Sequence, residues 1–312
     1  MIGGSLTRRL SAAGEAVTGW DADPNTRADA QQAGLAVAPS LAALASRGGV
    51  IFVAVPLPAL DSVFAALTAA APAETVLSDV TSVKQRVRAI AGSYGLSFVG
   101  GHPMAGTADS GFGAASAELL AGAAWVLTLD EETDLAAWLA VAAIVTAMGC
   151  PVVPCTSASH DEAVAKVSHL PHLLAAALVI GAAGDPLALS LAAGSFRDAT
   201  RVAMTAPALA AAMCGGNADA LDAQLSACIA QLDAGRRELS SLEGLAQWFA
   251  AAEAVRRSWP AVPSAETEVP AGAHLRDRLL DLGATGGHVV AVRPDGVVVR
   301  SGPVTSSAPG PA

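Results

Sequence analysis

The chain has few charged and few aromatic side chains for its length. Of its 312 residues, 15% are charged and 4% are aromatic, whereas 53% are hydrophobic. This composition excludes an intrinsically disordered chain, which combines high charge with low hydrophobicity. Much of the hydrophobic fraction is alanine, which favours helices but buries little area per residue. We therefore expect closely packed helices and little aromatic core.

Positive charge is also scarce. The chain has 18 Lys and Arg against 28 Asp and Glu, which gives a net charge of −10. A field of this sign repels phosphate backbones, and no cluster of basic residues offsets it. Nucleic acid is therefore not expected as a partner, and an anionic small-molecule substrate has to be bound by individual arginines.

The four cysteines form no CxxC pair and no His/Cys cluster with zinc-ligand spacing. Buried free thiols in a reducing compartment account for them. No apolar run follows Arg8 and Arg9, as a signal peptide would require. These features predict a cytoplasmic protein.

Two apolar stretches resemble membrane spans. Residues 135–154 carry no charge and approach the length of a span, but Gly149-Cys150-Pro151 interrupts them. This interruption favours a buried helix followed by a strand. Residues 173–184 are too short to span a bilayer, so no membrane partner is expected.

Strand-like and helix-like segments alternate in the first half of the chain. Strands are predicted at 16–21, 50–55, 75–79, 97–99 and 124–129, with helices at 25–32, 57–71, 82–91 and 134–148 between them. The runs 49–55 and 75–79 are apolar on both faces, which is typical of a parallel sheet covered by helices. Residues 1–154 are therefore predicted to form a doubly wound, Rossmann-like α/β domain.

Strand-like runs vanish after residue 155, and helical segments continue to about residue 258. A helix start is predicted at Ser159, with Asp161 and Glu162 in its first turn. Prolines 186 and 207 begin further helices, and 217–259 form one or two long ones. This pattern predicts an all-α domain over 155–260, whose alanine-rich surface suits a homodimer interface.

The tail, residues 261–312, has weaker signals. A helix is predicted at 274–282, and strands 289–293 and 297–300 flank Pro294-Asp295-Gly296, which is typical of a hairpin turn. The last Ser, Pro and Gly residues are expected to be disordered.

The chain begins with a glycine pair at the start of a helix-like run. In dinucleotide-binding folds a strand leads into G-x-G-x-x-G, and the helix N-terminus receives the pyrophosphate. Gly3 fits the third glycine, so the first strand and two glycines are expected upstream of Met1; a flexible terminus is the alternative. Asp21, 18 positions after Gly3, suits the adenosine ribose hydroxyls and would repel a 2′-phosphate, which favours NAD over NADP.

His102 follows the strand 97–99 and the pair Gly100-Gly101. The pattern predicts a loop at the end of a buried strand, where α/β proteins place their chemistry. An imidazole can accept a proton near neutral pH. A histidine in a turn without a chemical role is the alternative.

Six motifs in matching order resemble the prephenate dehydrogenases and their arogenate-using relatives of tyrosine biosynthesis. They are residues 2–6 (IGGSL), 79–84 (DVTSVK), 101–106 (GHPMAG), 122–128 (GAAWVLT), 168–172 (SHLPH) and 195–201 (SFRDATR). The resemblance implies NAD-dependent oxidative decarboxylation of prephenate to 4-hydroxyphenylpyruvate, or of arogenate to tyrosine. The chain departs from the family pattern in lacking the first glycines and in having Ser195. No regulatory domain is evident after residue 260.

The resemblance also implies roles for individual residues. His102 takes the proton of the substrate hydroxyl, and Ser82 hydrogen-bonds His102 and the nicotinamide region, although Ser82 suits a helix N-cap equally well. Arg201 binds a substrate carboxylate with its two-pronged guanidinium. Arg197 lies four residues earlier on the same helical face, with an ion pair to Asp198 as its alternative.

His169 and His172 are three residues apart and share a helix face. Substrate contact or a helix-start hydrogen bond is expected for them, because no third ligand supports a metal. The remaining histidines, 160, 274 and 288, are predicted at the surface. The expected cofactor contacts are Gly3, Gly4, Ser5, Asp21, Val55, Pro56 and Asp79.

Two other functions stay open. Another NAD-dependent hydroxy-acid dehydrogenase of similar two-domain fold would use a lysine on the first helix of the second domain, and Lys166 is the lysine there. The chain could also be an inactive relative that lacks its N-terminal strand, or a structural subunit.

Overall fold

The computed structural model describes residues 1–106, 111–259 and 264–304. The chain forms two compact units, one of residues 1–160 together with the chain from 260 onward, and one of Asp161–Trp259. These bounds differ from the predicted ones at 154/155 and from a separate tail, because strands of the tail join a sheet of the first unit. The predicted disorder at 305–312 lies outside the described residues.

A three-stranded parallel sheet in the first unit consists of β1 (Val50–Val53), β2 (Val76–Asp79) and β3 (Ser97–Val99), in that order. All three strands were predicted. Val53 pairs with Asp79, so β1 and β2 end at the same carboxyl edge. The buried side chains of Leu60 and Phe64, on a connecting helix, pack in one core cluster with this sheet.

The predicted strand 16–21 is not formed. This segment makes one isolated parallel bridge, between Gly19 and Val37. A strand needs a continuous ladder of hydrogen bonds to a neighbour, and the described residues offer this segment only that bridge.

A second sheet has six strands, which are β4 (Gly101–Pro103), β5 (Trp125–Thr128), β6 (Val152–Cys155), β7 (Glu266–Pro270), β8 (His288–Arg293) and β9 (Gly296–Arg300). Their order in the sheet is β4-β5-β6-β8-β9-β7. β5 and β6 are parallel and the other pairs antiparallel. The predicted helix-then-strand at 135–154 and the predicted hairpin are confirmed, whereas β7 was not predicted.

Helices cover both units. The second unit, from Asp161 to Trp259, is all-α, as predicted, and it ends with two long helices. The α-helices are α1 (Ile2–Ala12), α2 (Pro24–Gln32), α3 (Leu41–Ala45), α4 (Leu60–Thr68), α5 (Gln85–Ser93), α6 (Leu135–Ala147), α7 (Ser157–Val164), α8 (Leu170–Ala182), α9 (Pro186–Ser190), α10 (Gly194–Thr200), α11 (Pro207–Gly216), α12 (Ala218–Glu238), α13 (Leu242–Arg257) and α14 (Leu275–Ala284). Shorter turns are 3₁₀ at Leu57–Ala59, Ala117–Leu120 and Arg201–Met204 and π-helical at Ala165–His169.

The helical run Ser157–Ala182 is 26 residues long and is apolar enough to cross a membrane by length and composition alone. This run is longer than the apolar stretch 173–184 because the π-helical turn joins α7 and α8. Of the four free cysteines, Cys150 is buried, as predicted, and the other three are only partly buried.

Candidate active site

His102 lies immediately beyond the carboxyl edge of the parallel sheet. Only Gly100 separates β3 from β4, and His102 pairs with Val126 in the antiparallel ladder between β4 and β5. His102 is therefore held in a short strand, not in the predicted loop. The carboxyl edge is where open α/β sheets bind their ligands.

The imidazole of His102 contacts a second imidazole. Its Nδ1 lies 2.9 Å from Nε2 of His160, and the rings meet edge to face with centroids 5.1 Å apart. His160 is only 2% exposed, so its predicted surface position was wrong. At this distance one of the two ring nitrogens donates a proton to the other, so the tautomer of one ring determines the tautomer of the other.

The position of His160 follows from where α7 begins. The helix starts at Ser157, two residues before the predicted start, so His160 lies on the helix and not at its beginning. Ser157, His160, Asp161 and Val164 are all buried, at i, i+3, i+4 and i+7. This spacing is visible in the sequence, but three of the four residues are polar, so they do not read as a core stripe.

The start of α7 is held by Asp130, which lies on the chain segment after β5. Its Oδ1 accepts a hydrogen bond from the Ser157 backbone N–H at 2.9 Å, and its Oδ2 accepts one from the Ser157 hydroxyl at 2.5 Å. Arg276, on α14, donates to the Asp130 carbonyl at 2.6 Å and also to the Thr133 carbonyl. The described part of the tail thus supports the helix that carries His160.

The carboxylate of Asp79 lies at the carboxyl end of β2 and is fully buried. It accepts hydrogen bonds from the backbone and hydroxyl of Thr81, from the Lys84 ammonium and from the Gly101 backbone N–H. Because protein donors surround this carboxylate, a cofactor would meet Asp79 only at its backbone.

Ser82 is partly buried in the same turn, and Lys84 occupies the N-cap position of α5, so the N-cap alternative for Ser82 was wrong.

Gly3 and Gly4 lie inside α1, not in the expected loop. An ideal Cβ on Gly3 would lie 2.9 Å from the Ala54 Cβ, so α1 packs closely against the residues that follow β1. This is the packing that the third glycine of a dinucleotide fingerprint permits. Ser5 is buried, and its hydroxyl accepts a hydrogen bond from the Ser116 backbone N–H at 3.0 Å.

The N-terminus of α1 has the features of an anion site. Its first turn contains no acidic residue, and no side chain caps it. Burial lowers the pKa of the Met1 amino group, and the negative charge of Asp21 opposes this shift, so Asp21 lies near the same helix end. The exposed Asp21 carboxylate suits a ribose, and a helix N-terminus suits a pyrophosphate. Val55 and Pro56 follow β1 at the same sheet edge, so these residues fit a dinucleotide.

His169, in the second unit, is fully buried on the π-helical turn, and its Nδ1 lies 3.1 Å from Nδ2 of Asn217. The same Nδ2 donates to the Asp161 carbonyl at 2.7 Å. Since a carbonyl oxygen only accepts, this contact fixes the amide orientation, and Nδ1 of His169 is the acceptor. A neutral His169 therefore carries its proton on Nε2.

His172 and Arg201 lie close together in the second unit. Burial lowers the pKa of His172, the Arg201 charge lowers it further, and a hydrogen bond involving the Val202 backbone opposes both. Arg197 lies in the last turn of α10, and the exposed Arg201 follows this helix directly, with helical backbone angles, at the start of a 3₁₀ turn. Arg197 is exposed, and its Nε lies 3.5 Å from Asp198 Oδ1, as its alternative predicted.

One of the two remaining surface predictions for histidines is confirmed and the other is wrong. His274 is exposed, as predicted, but His288 is only 4% exposed, so its surface prediction was wrong. Lys166 is exposed on the π-helical turn. Across 1–106, 111–259 and 264–304, no group of three His, Cys, Asp or Glu side chains is placed to hold a metal ion.

The fold and the site define a nucleotide-binding α/β unit of the Rossmann-like class, followed in the chain by a helical unit. Residues 5–153 match the model of the prephenate dehydrogenase nucleotide-binding domain, and residues 156–251 match that of the prephenate dehydrogenase dimerization domain. The chain belongs to the prephenate dehydrogenase family.

Individual relatives agree with this assignment. The chain is 32% identical to the prephenate dehydrogenase of Bacillus subtilis, over 60% of this chain and 53% of that protein. It is 33% identical to the cyclohexadienyl dehydrogenase of Zymomonas mobilis, over 62% and 69%. The Synechocystis arogenate dehydrogenase structure superposes with a TM-score of 0.73 at 30% identity, over 83% of this chain and 96% of that one. The chain spans about half the length of the Bacillus relative.

Proposed function

We propose that this protein is an NAD-dependent dehydrogenase that oxidatively decarboxylates prephenate or arogenate. The observation that carries the proposal is the contact between His102 and His160 beyond the carboxyl edge of the parallel sheet. Membership of the prephenate dehydrogenase family supports the reaction class. A cytoplasmic location stays a prediction.

The cofactor would lie along this edge of the sheet. The N-terminus of α1, with Gly3 and Gly4 in its first turn, would hold the pyrophosphate, and Asp21 would hold the adenosine ribose. NAD, when bound, supplies the hydride acceptor for the reaction. Val55 and Pro56 would line the same edge.

His102 would accept the proton of the substrate hydroxyl. Because its Nδ1 contacts His160, we assign the substrate proton to its Nε2. For this role, Nε2 of a neutral His102 has to be unprotonated, so that the ring proton lies on Nδ1 and is donated to Nε2 of His160. A neutral His160 then carries its own proton on Nδ1. General base catalysis of this kind contributes roughly 10²–10⁴-fold to the rate.

The substrate carboxylate is assigned to Arg201. Its guanidinium is exposed, and burial together with the Arg201 charge lowers the pKa of His172, which favours a neutral imidazole beside it. A neutral imidazole can donate to or accept from the substrate without competing for the guanidinium. Arg197, which faces Asp198, has a weaker claim to this role.

The experiment that tests the reaction is a substrate panel. Purified protein with NAD is mixed with prephenate, arogenate or a simple 3-hydroxy acid, and NADH formation is followed by absorbance. Turnover of prephenate or arogenate is expected. Turnover of the hydroxy acid alone would favour the other dehydrogenase class, and no turnover together with no NAD binding would favour an inactive relative.

A further inference from the structure

A buried ion pair holds the residue that precedes His102. The Lys84 Nζ lies 2.5 Å from Asp79 Oδ2, and both side chains are fully buried. Lys84 Nζ also donates to the Gly101 carbonyl at 2.6 Å, while Asp79 Oδ1 accepts from the Gly101 N–H at 3.0 Å. We call these three residues the Gly101 clamp.

The clamp binds an edge strand. β4 is the first strand of its sheet, and Gly100 faces β5, where its carbonyl accepts from the Thr128 N–H at 2.8 Å. The two polar backbone groups of Gly101 are bound instead by side chains from the β2–α5 segment. Without these partners, a buried peptide group would lack hydrogen bonds.

Both glycines before His102 are needed for the clamp to close. An ideal Cβ on Gly101 would lie 2.5 Å from the Asp79 carbonyl oxygen, and one on Gly100 would lie 3.3 Å from Cδ of Lys84 and 2.6 Å from the Thr128 hydroxyl oxygen. A side chain at either position would collide with the backbone of β2 or with Thr128. The Gly-Gly pair is therefore explained by close approach.

We propose that Lys84 and Asp79 are positioning residues that fix the β4 backbone and thereby hold the His102 ring against His160. Removing two charges from water is costly, and apolar pairs of similar volume often stabilise a fold equally well. An apolar pair cannot form the two charge-assisted hydrogen bonds to Gly101, one donated to its carbonyl and one accepted from its N–H. The kinetic part of this proposal rests on the proposed function.

The test is a double variant, Lys84→Met with Asp79→Asn, which removes both charges and leaves no unpaired buried ion. The chain has six histidines, so ¹⁵N-histidine NMR gives a simple spectrum in which the His102 signal is assigned by its loss in His102→Asn. We expect the His102 resonances to move, and kcat to fall at least about tenfold with KM for NAD and substrate within about twofold, because small misplacements reduce kcat steeply.

The control is Arg86→Met, which removes an exposed positive charge two residues after Lys84. It should change neither the His102 resonances nor kcat. If the double variant does not fold, Lys84→Arg retains the charge pair but cannot place a donor where Nζ lies, because a guanidinium is planar and larger. It should shift the His102 resonances in the same way.

A folded variant of either kind with wild-type His102 resonances and wild-type kcat overturns the proposal. If the wild-type protein turns over neither prephenate nor arogenate, the proposed function fails, but the NMR comparison still tests the clamp, because it needs no substrate.

Discussion

The histidines of this chain differ in what their surroundings do to the imidazole. His288 is buried at the start of β8, and its Nδ1 lies 3.1 Å from the Gly302 carbonyl. Burial lowers its pKa, the Arg300 charge lowers it further, and the hydrogen bond to Gly302 opposes both. The folded protein therefore favours a neutral His288.

This environment predicts a loss of stability in acid. An unfolded histidine titrates near pH 6.5, so below about this pH the unfolded chain takes up a proton that folded His288 resists. The stabilisation is complete above pH 6.5 and decreases as the pH falls through the lowered folded value. Thermal melts of wild type and His288→Gln between pH 8 and 5 should show a smaller acid loss of Tm in the variant. The exposed His274→Gln is the control, and equal acid losses in all three proteins would contradict the prediction.

Among the site residues, those that bond within one motif could be predicted and those that bond across the chain could not. His102 follows a buried strand and a Gly-Gly pair, which is a local signal. His160 and Asn217 are defined by partners 58 and 48 residues away, and no local pattern encodes such a distance. The buried face of α7 carries polar side chains, so hydrophobic periodicity does not reveal it.

At the scale of elements, apolar runs predicted the strands of the parallel sheet, and the turn residues 294–296 predicted the hairpin of β8 and β9. The runs 49–55 and 75–79, which contain β1 and β2, are apolar on both faces, which is typical of a parallel sheet. β4 contains Gly-His-Pro and β7 contains Glu-Thr-Glu-Val-Pro, and their strand conformation comes from neighbouring strands and not from propensity. The segment 16–21 has the opposite problem, because its propensity favours a strand but its only pairing with other described residues is one bridge.

The support of α7 by the tail yields an element-scale prediction. Arg276→Ala removes the donors to the Asp130 and Thr133 carbonyls, so the free energy of unfolding should fall by about 1–3 kcal/mol, as for lost hydrogen bonds to a charged group. Urea denaturation measures this change. Arg278→Ala, an exposed arginine on the same helix, should change stability by less than about 0.5 kcal/mol.

A second measurement links this support to the site. Because Asp130 holds Ser157 and α7 carries His160, the His160 NMR signal should move in Arg276→Ala and stay in Arg278→Ala. An Arg276→Ala protein with wild-type stability and an unchanged His160 signal would refute the role of the tail in supporting α7.

At the scale of the whole molecule, the surface of the second unit predicts self-association. Among the described residues, large apolar side chains with high exposure concentrate there, including Ile180 at 72%, Leu242 at 89% and Phe249 at 58%. Exposed apolar surface of this extent marks an interaction site, and the match to a dimerization domain covers the same region. We predict a homodimer of twice the 30.9 kDa chain mass.

Sedimentation equilibrium across a concentration series measures this mass. A dimer at micromolar concentration is expected. A monomer at every concentration, or a preparation that stays in solution only with detergent, would contradict the prediction, and the second result would favour a membrane role for the apolar helix Ser157–Ala182.

In the proposed mechanism, His102 is oriented by His160 and accepts the substrate proton. The most direct test is the kcat of His102→Asn with NAD and the better of prephenate and arogenate, measured beside the NAD dissociation constant. We predict a kcat lower by roughly 100-fold or more, as expected for loss of a general base, with NAD affinity nearly unchanged. A His102→Asn enzyme with near wild-type turnover would contradict the account.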